Sequence, residues 1–448
     1  MRQQGISAPP LRSIASHGRG RGADFRALFV LFGYLFLFQV DTVPGAVKFG
    51  FVGVSVGLAM LSGVAVHRRR LIASEGQQQT IHLVLIAIRI MVLFMLAQLT
   101  SLSWSGVEFS DWTRDALNYA LFPVAMIIGL DWGTASSARF VGRTAILIGI
   151  IGGVSFSVAW LERRGQAGVE QFGLASAFVS FAGICLCLAL YVARRQGQLR
   201  FLLLALVQIG LILLSGGRSA LAYSAGLVVV ALAINPLPLG RRVLRGTAIA
   251  TACVLGFVLV MQISDSYAGG VATNRAQWFT RLADQGLSAI ASDGSGVARA
   301  RAYEWLTQLW LLHPLIGRGL GQALPSVATG FITPGLYTLD SPMVVLAKFG
   351  VLGTLVLVIV LALVFRSLAG PQTGHPHASA FARTFAVLAV AINLMLLVNG
   401  WPMENRGFVV FILLAIAISL SHRQVEAETT HPRTGRHPRT YERPTHVF

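Results

Sequence analysis

Charge is what this sequence lacks most. Of its 448 residues only 12% are Asp, Glu, Lys or Arg, about half the share of an ordinary soluble domain. That is too little polar surface to coat a water-soluble fold. Acidic residues are scarcer still, 18 against 36 Lys and Arg. Cysteine is nearly absent. Cys185, Cys187 and Cys253 cannot form a disulfide framework in a chain of this length, and each stands inside an apolar run as a small core residue. The 47 glycines follow no period, which excludes a collagen. No Walker loop, nucleophile elbow, zinc spacing or paired acidic motif occurs, so neither a cofactor nor a metal is expected. What is present is hydrophobic, 54% of the residues with a mean hydropathy of +0.67. In a soluble protein a net charge of +18 would suggest nucleic acid. At this hydropathy the placement of the charge matters instead, and no nucleic-acid partner is expected. The composition is that of an all-α integral membrane protein.

A hydrocarbon core about 30 Å thick needs roughly 20 apolar residues per helix. About twelve such runs occur, near 25–40, 46–66, 81–101, 115–130, 144–161, 172–192, 201–215, 219–234, 246–263, 341–364, 384–399 and 407–421. With the N-terminus placed inside, the inner segments carry 23 arginines. The short outer segments carry five: Arg114, Arg163, Arg164, Arg218 and Arg406. The asymmetry predicts a multi-pass protein with both termini cytoplasmic. The expected organisation is a disordered basic arm over 1–24, helices one to nine within 25–263 and a long periplasmic or extracellular loop over 264–340. Helices ten to twelve follow within 341–421, and a disordered tail over 422–448. That tail repeats HPRT at 431–434 and 437–440 and suits a solvated segment near anionic lipid. No larger internal repeat is visible, whereas many transporters carry one.

The long outer loop is the informative piece, because ordinary connections are far shorter. Ala302, Trp305, Leu306, Leu309, Trp310 and His313 fall at helical spacing. This predicts an amphipathic helix over Val297–His313 lying apolar face down on the outer membrane surface. Pro314 stops it, and Gly317, Gly319 and Gly321 make a tight turn around Arg318.

Several residues could carry chemistry. Arg218, after Gly216-Gly217 at the outer face, could hold a phosphate by its planar fork, or simply snorkel to headgroups. Arg301 could do the same from the loop helix, or pair with Glu304. His313 and Arg318 follow in the turn. Asp340, ahead of the tenth run, is either a helix cap or the general base of an outward-facing site. Lys348, close behind it, must snorkel or pair. Arg89 stands mid-way along the third run, where a charge is functional or paired by default. With no acid in the middle of another run, a carbonyl or water-filled cavity is its expected partner. Glu404 and Arg406 read as a surface ion pair of little worth.

Four segments together resemble the bacterial O-antigen ligase and O-antigen polymerase superfamily: SLSWS (101–105), LSGGRS (214–219), Arg301 with Trp305, and HPLIGRGLG (313–321). AKFGVLG (347–353) resembles that family's stretch at the start of the following helix. The resemblance implies a C-type glycosyltransferase architecture acting on undecaprenyl-pyrophosphate-linked glycan at the outer face of the inner membrane, in O-antigen or exopolysaccharide assembly. Membrane lipids and further polysaccharide-assembly proteins would be its partners. The family's ligases place a His-Asn pair where this chain reads Leu339-Asp340-Ser341-Pro342, so the polymerase type is the better fit. Arg218, Arg301, Arg318 and Trp305 would bind pyrophosphate or glycan, and Asp340 or His313 would take the proton. A ligase, or a transporter or flippase without catalysis, is the alternative.

Overall fold

The computed structural model describes residues 15–34, 44–71, 75–136, 169–193, 198–215, 218–235, 294–322, 343–368 and 376–398. Scattered residues between them are also described, including several of 408–419. All regular structure among these residues is helical. The helices are α1 (Ala15–Gly33), α2 (Gly45–Arg70), α3 (Glu75–Ala97), α4 (Phe109–Ala135), α5 (Val169–Ala193), α6 (Gln198–Ser215), α7 (Arg218–Ala233), α8 (Gly294–Leu312), α9 (Met343–Leu368) and α10 (Pro376–Val398). Four helical stretches are long and apolar enough to cross a membrane: Gly45–Arg70, Gln78–Ser105, Phe109–Ala135 and Met343–Leu368. Shorter apolar helices cover Ser180–Ala193, Leu199–Gly210, Ala222–Ala233 and Arg383–Met395. Helix α1 begins at Ala15, inside the segment whose composition suggests a disordered arm.

Helix α4 is the centre of one bundle. It packs on α1, α2 and α3, and its interior residues from Trp112 to Trp132 are almost all buried. Gly129 and Gly133, one turn apart, bring its backbone against the helical residues Ile412, Ala415, Ile416 and Ser419. A Cβ at Gly129 would lie 2.6 Å from the Ile412 carbonyl oxygen, and one at Gly133 would lie 2.7 Å from Ser419 Cβ. Small residues four apart permit the close backbone approach common between membrane helices. A second group joins α5 to α6, α7 and α10. Here Gln208 reaches across to Cys187 (3.6 Å) and Met395 fills the space beside Gly226. Cys185 and Cys187 are buried, as their apolar surroundings predict, and Cys253 lies outside the described residues.

One end of the first bundle is closed by ionic contacts. Asp131, fully buried near the end of α4, accepts hydrogen bonds from Arg26 of α1 (2.5 Å), Arg69 of α2 (2.7 Å) and Ser62 (2.7 Å). Asp24 accepts from the Trp132 indole at 3.0 Å and from the Ser136 hydroxyl. The loop helix α8, with the turn that follows it, lies at the opposite end. From Asp115 to Asp131 the axis of α4 covers roughly 24 Å at 1.5 Å per residue.

Candidate functional site

Helix α9 is broken at Gly350, whose backbone (φ 63°, ψ −171°) lies outside helical space. This is a region essentially restricted to glycine. The break frees two carbonyls before it and two N–H groups after it, and in lipid each needs a partner. The turn at 314–319 supplies all four. The Arg318 and Gly319 N–H groups donate to the Ala347 and Lys348 carbonyls at 2.9 and 2.8 Å. The Val351 and Leu352 N–H groups donate to the Pro314 and Leu315 carbonyls at 2.9 and 3.0 Å. An unbroken helix would pair 347 with 351 and 348 with 352, so the turn is spliced into the ladder in place of those two bonds.

The motif glycines follow from this geometry. A Cβ on Gly350 would overlap the Leu315 carbonyl, and one on Gly317 (φ 68°) would overlap the Lys348 carbonyl. Gly319 faces Ser101, and Gly321 sits on the Trp112 backbone, each with no room for a side chain. Three of the segments singled out in the sequence therefore meet: SLSWS, HPLIGRGLG and AKFGVLG.

A buried ion pair fastens them. Lys348 Nζ lies 2.7 Å from Asp115 Oδ1, with side chains 8% and 1% exposed. Asp115 Oδ2 accepts the Gly321 N–H at 2.9 Å, and the ammonium stands 5.7 Å from the centre of the Tyr119 ring. The chain has only two lysines, Lys48 and Lys348, and one of them is committed here. Breaking such a pair leaves a buried charge with no counter-charge, which makes it a strong constraint. Phe349 beside it packs edge-on against Phe94 of α3 and Tyr119 of α4, at 5.2 and 5.1 Å.

Helix α8 covers this junction. It spans Gly294–Leu312, close to the expected Val297–His313. The expected face is the packed one: Ala302, Leu306 and Leu309 are buried, and Trp305 and Trp310 half-buried. What that face covers differs from the expectation. It packs on α9 rather than lying open for a membrane surface, because the start of α9 offers a complementary apolar face. A small cavity remains between α8, the turn and α9. It is lined by Leu306, Leu309, Val344 and Ala347, with Arg318 and Gln322 at its polar side and Lys348 below. The guanidinium of Arg318 has no ion-pair partner among the described residues. The cavity has room for about one water molecule, so it marks where Arg318 meets apolar side chains.

The other expected site residues are distributed as follows. Arg301 is exposed on the upper part of α8, and His313 is exposed just past its end. Twelve residues separate them, roughly 18 Å along a helix, so they do not meet. The His313 backbone closes the turn by accepting the Gly317 N–H at 2.8 Å. Arg218 is the first residue of α7, and its side chain lies outside the described residues. So does Asp340, and so do Glu404 and Arg406. Arg89 is exposed on α3 on the same stripe as Leu93 and Leu96, which are exposed too, so an apolar face surrounds it. Among the described residues no three His, Cys, Asp or Glu side chains cluster as metal ligands.

Asp115 is the residue that sequence reasoning missed. It stands at the first position of the fourth apolar run, at the same end of the bundle as Lys348 near the start of the tenth. One buried acid and one buried lysine at one end of the bundle was the available signal. No protein-family model matches the chain, and no curated protein matches it.

Proposed function

We propose that this chain is a membrane glycosyltransferase that polymerises or transfers lipid-pyrophosphate-linked oligosaccharide at the outer face of a bacterial inner membrane. On this reading about twelve helices cross the membrane in a C-type arrangement, both termini are cytoplasmic, and the α8 end of the bundle faces outward. The observation that carries the reading is the meeting of three motif segments at one end of the bundle, around a cavity that pairs Arg318 with apolar walls.

The chemistry asks for little more than charge and position. The acceptor hydroxyl oxygen forms a bond to the anomeric carbon as the bond from that carbon to the pyrophosphate oxygen breaks. The electron pair leaves with the lipid pyrophosphate, and the hydroxyl proton passes to Asp340, since His313 lies too far from Arg301 to serve a leaving group held there. Arg218, Arg301 and Arg318 stabilise the negative charge that develops on the leaving group. Trp305 offers a ring for the sugar. The absence of a histidine in 339–342 favours polymerisation over transfer to a lipid A core.

The rival transporter reading depends on Arg89 facing a central pathway, and its position on a stripe with exposed Leu93 and Leu96 weighs against that. The test is turnover by the purified full-length chain of an undecaprenyl-pyrophosphate oligosaccharide. Lengthened glycan and released carrier are expected, with both lost in Arg218→Ala and in Arg301→Ala. Full activity in both variants removes the mechanism. Vesicle-to-vesicle movement of intact substrate, with no carrier released, favours the transporter.

A further inference from the structure

We infer that the segment from Leu311 to Ile316, at the end of the outer loop helix, is immersed in the outer leaflet, its side chains in contact with lipid acyl chains. The inference does not depend on glycosyl transfer; it would hold for any activity of a chain that crosses the membrane through α9.

The first support is depth. Arg366 is exposed in the last turn of α9 and marks where that helix leaves the hydrocarbon at the far end. Counting back roughly 20 residues for a core about 30 Å thick places the near boundary around residue 346. Val351 and Leu352 then lie roughly 8 Å inside it. The backbone bonds from these two residues to Pro314 and Leu315 hold the turn at the same depth.

The second support is the exposed surface. Leu311, Leu312, Leu315 and Ile316 are 61%, 66%, 61% and 48% exposed. The α9 residues bonded to the turn, Val351 and Leu352, are 44% and 53% exposed, and Leu355 follows one turn on. The apolar patch of the loop is thus continuous with the outward face of a membrane-crossing helix. His313 is the polar side chain among them. Nearby, Trp104 between α3 and α4 and Phe109 at the start of α4 are also exposed, as aromatic residues at a headgroup boundary are.

The third support is the backbone. Non-helical chain at membrane depth needs its polar groups met by protein. In this turn the Pro314 and Leu315 carbonyls and the Gly317, Arg318, Gly319 and Gly321 N–H groups have protein partners, and the Leu315 and Ile316 N–H groups have none among the described residues. Water would have met the partnered groups at no cost in an ordinary surface loop. The amphipathic face proper, Ala302, Leu306 and Leu309, is already used against α9, so the lipid contact falls on a different set of residues from the one the helical pattern suggests.

The experiment places a nitroxide label singly at Leu312→Cys, Leu315→Cys and Ile316→Cys, in full-length protein with Cys253→Ala. The protein is reconstituted in phosphatidylethanolamine and phosphatidylglycerol vesicles. Leu93→Cys on α3 is the lipid-facing reference and Glu304→Cys on the outer side of α8 the aqueous one. The ratio of oxygen to nickel-chelate collision rates at Leu315 and Leu312 should match that at Leu93 and exceed that at Glu304 several-fold. Three independent sites keep the test alive if one labelled variant fails to reconstitute. Chelate access equal to that at Glu304 overturns the inference, because the turn is then in water. Low access to both reagents overturns it as well, because protein then covers the patch.

Discussion

The two ends of the α4 bundle each hold a buried aspartate, and they use it differently. Asp131 is shared by two arginines from two neighbouring helices, with side chains 19% and 24% exposed. If one arginine is lost the other remains, and either can turn toward water or a headgroup. Asp115 has one lysine, 8% exposed, and one backbone N–H from a loop. Loss of either charged group removes the counter-charge of the other inside the bundle. The first arrangement ties helix to helix with redundancy and behaves as scaffold. The second ties a loop to two helices with none, so the candidate site exists only while every member is in place. At the Asp115 end stability and assembly of the site are one property.

Removing Asp115 should therefore cost the most. Asp115→Ala removes the carboxylate that faces the buried Lys348 ammonium at 2.7 Å, which is expected to cost about 3–5 kcal/mol. Changing both residues, Asp115→Leu with Lys348→Met, should recover most of that loss. Thermal unfolding in detergent reads both, and singles that cost no more than Asp131→Ala would erase the difference between the two ends.

Gly350→Ala comes next. The residue's backbone angles cost a side-chain-bearing residue about 1–3 kcal/mol, and the added Cβ meets the Leu315 carbonyl. The expected outcome is a displaced turn, seen as faster protease cleavage near residue 316 while α9 stays in the membrane.

Asp131→Ala should cost less than Asp115→Ala, about 1–3 kcal/mol, because both arginines retain access to polar surroundings. A double change with Arg69→Ala should add little, and a large further loss would show that the Asp131 end is as brittle as the Asp115 end.

The smallest effect on stability belongs to Arg301→Ala. An exposed side chain away from caps and core changes stability by about 0.5 kcal/mol or less. Its unfolding midpoint should match the unsubstituted chain's, while glycan transfer is lost. A midpoint drop comparable to that of Asp131→Ala would make Arg301 structural.

Much of this architecture was legible in the sequence, because length and hydropathy dictate where membrane helices lie. The runs near 46–66, 81–101, 115–130 and 341–364 correspond to the four stretches long enough to span. The buried face of α8 followed from helical spacing. Its partner did not, since spacing identifies an apolar face but not the surface that covers it. Gly350 was legible as part of a motif but not as a break, because a glycine between Phe349 and Val351 is equally compatible with a continuous helix. The break is defined only by its pairing with residues 314–319, some thirty residues earlier in the chain, and no local pattern carries that. Lys348 was expected to pair or snorkel. Its partner stayed hidden because Asp115 stands at the edge of its run, where an acid reads as a boundary residue.

The splice between the turn and α9 carries the account, and amide hydrogen exchange resolved at Arg318, Gly319, Val351 and Leu352 in the purified protein tests it most directly. All four amides should be protected to a similar degree and lose protection together in Lys348→Met. Rapid exchange at Arg318 and Gly319 alongside full protection of Val351 and Leu352 would contradict it, because α9 would then be continuous and the turn free.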